Sequence, residues 1–164
     1  PMKKKKWIEQ LSSIWDQATE EEKNFLTTIP ERIQSYQNGT YQLLIDAYLQ
    51  PTRKWLNEDT YEVTIPLHKG TENLLKITHG GVTATLLDIS MGSLVNGLLP
   101  ENVAAVTLEM KVNYIKPGKG PFLRCEARFI SRSKRIFTVE GTVYDEKEKV
   151  VAHGTGTFYT ITNS

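Results

Sequence analysis

Four residues stand out by type and spacing: His79, Gly80 and Gly81 in a row, and Asp88 nine residues after the histidine. They sit where a polar loop turns into a long apolar segment, residues 82–99. Two adjacent glycines at a helix start let a ligand carbonyl approach bare backbone N–H groups. The partial positive charge of that helix end favours negative charge on the approaching oxygen. An acid more than two turns further on has no evident structural task. Together these residues suggest an oxyanion-stabilising backbone with a carboxylate near it.

The flanking elements must place these groups. Trp7, Leu11, Ile14, Trp15 and Ala18 recur at the spacing of one helix face. Thr19 with Glu22 three later is a capping-box pattern, which predicts a second helix from Thr19 to about residue 29, with Pro30 as a break or the start of a new turn. Helical character continues to Tyr36, Asn38-Gly39 ends it, and residues 41–48 suggest a short helix. Residues 49–56 suggest a weak strand, at an edge because it contains Pro51. Tyr61, Val63 and Ile65 alternate with polar residues as in a half-buried strand. Residues 81–97 are apolar nearly all round, so that helix is buried rather than laid on a surface. Four strands follow Pro100 and are expected to form a meander. In the first of them Val106, Leu108, Met110, Val112 and Tyr114 alternate strictly, which turns Thr107 away from the helix. An α+β architecture results, with a curved antiparallel sheet wrapped around one central helix, residues 49–164, behind an N-terminal helical extension, residues 1–48. Such a sheet leaves edges and an outer face for dimerisation to cover.

With 164 residues, 39% of them apolar, the chain can bury a sizeable core. A net charge of +1 argues for neither nucleic acid nor membrane. The single cysteine, Cys125, forms no internal disulfide and fits a reducing, cytoplasmic setting; it has no histidine motif to make it a nucleophile. Pro1 ahead of Met2 reads as an expression scar, and the lysines at 3–6 lead into polar residues rather than an apolar signal segment. His68, His79 and His153 lack metal-site spacing, and His68 and His153 read as structural or exposed. No metal or separate cofactor is expected.

The stretch His79-Gly80-Gly81-Val82-Thr83-Ala84-Thr85-Leu86-Leu87-Asp88, with Asn73 before it, resembles the hotdog-fold acyl-CoA thioesterases, the group containing the phenylacetate-pathway thioesterase and thioesterase superfamily member 2. Residues 106–117 and 152–158 are similar to later strands of that family, so the resemblance runs from about 49 to 161. One departure is Lys76, where the family carries glycine; a loop needing positive φ there would be strained and would disturb Asn73. The helical lead-in is also longer than the family's usual one.

The resemblance implies hydrolysis of an acyl-CoA thioester, with coenzyme A as part of the substrate. It places Asn73, His79 and Gly80 of one chain opposite Asp88 and Thr107 of another, in a homodimer or dimer of dimers. The Gly80 N–H would stabilise the oxyanion. Asp88 would act as general base or as nucleophile, helped by burial in its apolar helix. Thr107 would hold the attacking water, and His79 would either fix the turn or meet the thioester. Gly81 and Asn113 join the substrate-binding set. For the coenzyme A phosphates, the basic turns are Lys116 with Lys119, and Arg132 with Lys134 and Arg135, against the alternative of solvated surface charge. Two other functions fit the residues: an acyl-CoA sensor without turnover, and a hotdog hydratase or dehydratase of enoyl thioesters.

Overall fold

A computed structural model describes residues 3–162, so Pro1, read above as a scar, lies outside the described residues. The chain forms two compact units: one runs up to Tyr48 and takes in His68–Gly70, the other comprises Leu49–Leu67 and the chain from Thr71 onward.

The first unit is helical: α1 (Lys4–Gln17), α2 (Glu20–Gln37) and most of α3 (Leu44–Leu49). None of the residues of α1 is buried. Thr19 caps α2 as its spacing predicts: its N–H donates to Glu22 at 2.7 Å, and the Glu22 N–H donates back to its hydroxyl at 3.3 Å. Pro30 does not break α2, contrary to the break expected near residue 29. It removes one backbone donor, but the turn beyond it is tied down by Arg32, which donates to the Tyr48 carbonyl and, at 3.1 Å, to the Thr28 hydroxyl. Here a tertiary anchor overrides a local breaker. His68 belongs to this unit and stacks on Phe25 at 5.3 Å.

The second unit is a six-stranded sheet against one helix. Its elements are β1 (Thr52–Asn57), β2 (Thr60–Pro66), α4 (Gly80–Asn96), β3 (Val103–Tyr114), β4 (Phe122–Arg132), β5 (Ile136–Tyr144) and β6 (Val150–Thr162). All strand pairs are antiparallel, in the order β1-β2-β4-β5-β6-β3. The four final strands therefore do not form one meander. Only β4, β5 and β6 do; β3 lies on the far edge beside β6. Periodicity identifies strands but not partners, and α4 carries the chain across the sheet before β3 is laid down. Leu86, Leu87, Met91, Leu94 and Val95 of α4 are fully buried against Val63, Ile65, Leu123, Val139, Val143 and Phe158. Burying side chains of this size stabilises by about 1.5–3 kcal/mol each. The helix is held by the sheet, and its two ends are thereby held in place. Among the described residues no helix is long and apolar enough to cross a membrane.

A bulge in β3 settles one orientation. Thr107 pairs with Phe158 and Glu109 with Thr157, consecutive residues of β6, so Leu108 is an extra residue on the β3 side. The strict alternation read from Val106 to Tyr114 therefore changes phase at Leu108. Val106 and Leu108 are exposed, and Thr107 turns toward the helix rather than away from it.

Candidate functional site

The start of α4 is a heavily braced turn. His79 is its N-cap, and the His79 Nδ1 accepts the Gly81 N–H at 2.9 Å. The His79 carbonyl accepts from Val82 at 2.9 Å and Thr83 at 3.2 Å, and the His79 N–H donates to Thr71 at 2.8 Å. Tyr114, at the end of β3, donates its hydroxyl to the Gly80 carbonyl at 2.9 Å. The Gly80 N–H has no such acceptor: as the first residue of the helix it has no carbonyl four residues back within the helix. Gly80 lines a cavity of about 350 Å³ together with Asn73, Thr78, Thr83, Tyr114 and Lys116, among others. A donor at a helix N-terminus is suited to an oxygen bearing negative charge.

Two expectations about this turn are refined. His79 fixes the turn, and because its ring nitrogen takes the Gly81 N–H, that amide is not free for a substrate as the sequence reading had it. Asn73 does line the cavity, but its carboxamide oxygen is committed to the loop, accepting the Leu75 N–H at 2.9 Å. The loop needs the positive φ that glycine would supply: Lys76 adopts φ 54°, with its N–H donating to the Asn73 carbonyl at 2.9 Å. The side-chain turn made by Asn73 holds the lysine in that conformation.

Asp88 lies eight residues along α4 from Gly80, roughly 12 Å by the rise of a helix. It is half-buried rather than enclosed in the apolar helix. The Thr107 hydroxyl donates to Asp88 Oδ1 at 2.8 Å. Thr107 thus serves the carboxylate of its own chain, and its proton is already used; toward a water it can only accept. Within one chain the Gly80 N–H and the Asp88 carboxylate do not converge.

The remaining candidates divide by position. Lys116 reaches the Gly80 cavity. Arg132, Lys134 and Arg135 occupy the turn at the other end of β4, where Arg132 pairs with Asp59 and Arg135 donates to the Tyr159 hydroxyl at 3.3 Å. That turn is level with Asp88: Thr107, Phe158, Phe137 and Arg132 form one row across the sheet. Asn113 pairs with His153 on the face opposite to the one from which Tyr114 reaches Gly80, and it does not line this cavity. His153 bonds the Thr142 hydroxyl at 3.0 Å. Complete burial pushes the Cys125 thiol up to about 12, which keeps it protonated and unreactive. No three metal-binding side chains cluster among the described residues. The sequence reading missed Tyr114 as a site residue. Its alternation with Met110 and Val112 marked it as inward-facing, yet only the tertiary structure shows what its hydroxyl meets.

A family model for the thioesterase superfamily matches residues 75–152. A Bacillus halodurans protein crystallised with coenzyme A is 35% identical, with a TM-score of 0.86, over 94% of this chain and 99% of that one. The coverage takes in most of the N-terminal helices. A Haemophilus influenzae thioesterase shares the fold at 21% identity and a TM-score of 0.68, over 72% of this chain and 82% of its own. An esterase-named protein of Saccharolobus solfataricus is 40% identical over 91 residues, 54% of this chain; the match spans 59% of that relative, less than two thirds of its length.

Proposed function

This chain belongs to the thioesterase superfamily, with the hotdog fold, and we propose that it hydrolyses acyl-CoA thioesters at a site shared between two copies of the chain. The observation that carries the reading is the division of labour along α4. The helix begins at Gly80, whose amide has no acceptor within the helix and which lines a cavity, and carries, two turns on, a carboxylate held by Thr107. The distance of roughly 12 Å between them is too long for one thioester, so a complete site joins Gly80 of one copy to Asp88 of another. The Bacillus halodurans relative crystallised with coenzyme A supports the choice of carrier.

In this reading the thioester carbonyl oxygen rests on the Gly80 N–H. Asp88 removes a proton from a water while its oxygen attacks the carbonyl carbon. The Thr107 hydroxyl keeps Asp88 Oδ1 in place and leaves Oδ2 for the proton. Negative charge on the carbonyl oxygen falls on the helix N-terminus, where it is stabilised. Collapse of the tetrahedral adduct breaks the C–S bond, and the coenzyme A sulfur leaves with the proton from Asp88. The cavity places Lys116 beside Gly80. An assembly that brings Asp88 to a partner's Gly80 also brings that partner's Lys116, a cation beside the cavity for the coenzyme A phosphates, whereas the turn at Arg132 lies three strands across the sheet from Thr107.

The test is thiol release from a panel of acyl-CoAs, wild type beside Asp88→Asn. The asparagine cannot take a proton from water, and kcat falls by roughly 10²–10⁴. Equal rates would remove Asp88 from the mechanism. Tight binding without turnover by the wild type would instead favour a sensor.

A further inference from the structure

Gly80 and Gly81 form a pair of residues with the widest backbone freedom of any, placed where the proposed chemistry needs one amide aimed at one point. Something must remove that freedom. The peptide between His79 and Gly80 is held through the His79 carbonyl, which accepts from Val82 and Thr83. The next peptide, between Gly80 and Gly81, is held at its N–H by His79 Nδ1 at 2.9 Å and at its carbonyl by the Tyr114 hydroxyl at 2.9 Å. His79 belongs to the helix start itself, whereas Tyr114 reaches this brace from β3.

Tyr114 is also well placed to transmit force. It ends the long edge strand β3, where it pairs with Ala152 of β6. The backbone beyond it stays tied to the sheet, since the Ile115 and Lys116 N–H groups both donate to the Val151 carbonyl, at 2.8 and 3.0 Å. The ring stands 3.4 Å from where a side chain on Gly80 would begin, and it lines the cavity beside Gly80. Ring and hydroxyl thus have separable tasks, one bounding the cavity and one steadying the turn.

We propose that Tyr114 is a positioning residue for hydrolysis: its hydroxyl, by holding the Gly80 carbonyl, fixes the orientation of the adjoining Gly80 N–H beside the cavity that both residues line. The inference rests on Gly80 as the oxyanion donor. The residue does not touch the reacting atoms through that hydroxyl, because the bond is spent on the backbone. The expected signature is a loss in kcat with little change in KM, since the looser amide costs more where charge develops than where substrate merely binds.

The experiment compares wild type, Tyr114→Phe and Tyr114→Leu by steady-state thiol release from a hydrolysed acyl-CoA, and by amide hydrogen exchange over residues 78–85. Phenylalanine keeps the wall and loses the strut: kcat falls about tenfold with KM within twofold, and the Gly81 amide exchanges several-fold faster. Leucine loses both, and KM rises as well. An unchanged kcat in Tyr114→Phe, or a rise in KM alone, overturns the assignment. The exchange data stand apart from turnover. If wild type hydrolyses no acyl-CoA, the hydrolase reading fails, while unchanged exchange in Tyr114→Phe overturns the brace on its own.

Discussion

Gly80 is the first residue of α4, and a proline fits that position. Proline at the first helical residue loses an N–H that has no intrahelical acceptor, and its φ suits the helix. It also requires an extended residue before it, and His79 has φ −61° and ψ 134°. Gly80→Pro therefore deletes one hydrogen-bond donor while leaving the turn. Stability should stay within about 1 kcal/mol of wild type by denaturant titration, and kcat should fall by roughly 10²–10³ in the thiol assay. A fully active Gly80→Pro protein would exclude this amide as the oxyanion donor. At this scale the sequence was informative about identity and weak on direction. Gly80, Asp88 and His79 stand out by their types and spacing, and Asn73 by the family resemblance. That the His79 ring takes the Gly81 amide, and that Thr107 points at Asp88, depends on torsions that no residue type specifies.

The elements show where local rules hold and where they yield. The capping box at Thr19 forms as read because both of its partners lie within one turn. Pro30 is overridden because Arg32 anchors the following turn to Tyr48. The alternation of β3 fails at Leu108 because register belongs to a pair of strands, and the bulge exists only against β6. The loop at 73–77 offers a test at the same scale. Lys76 holds φ 54°, where a lysine is strained by about 1–2 kcal/mol. Glycine relieves that strain and forfeits roughly 0.5–1 kcal/mol through its freer unfolded chain. Lys76→Gly should raise stability by about 0.5 kcal/mol, read as a higher urea midpoint at unchanged slope. A lower midpoint would show that the left-handed turn is not what the lysine strains against.

For the whole molecule the decisive matter is how many chains make one site. Gly80→Pro and Asp88→Asn each damage a different half of it. If the halves belong to different copies, a mixed dimer holds one site with both lesions and one with neither. Mixing the two inactive proteins under conditions of subunit exchange should then restore about a quarter of wild-type turnover. No recovery, with exchange confirmed by labelled subunits, would confine the chemistry to a single chain. The exposed Val106 and Leu108 on edge strand β3 are the apolar side chains to watch for protection in such an assembly.

Taken alone, the sequence determined what depends on neighbours along the chain: a buried central helix from its all-round apolar composition, strands from alternation, a helix start at His79-Gly80-Gly81, and a resemblance carried by those residues. Tertiary structure decided what depends on residues far apart in the chain. It set β3 on the far edge rather than beside β4, turned Thr107 onto Asp88, sent Asn113 to the outer face, and laid the Tyr114 hydroxyl against Gly80. The physical reason is that periodicity encodes which face of an element is apolar, whereas partner and register are chosen by the packing free energy of the assembled sheet.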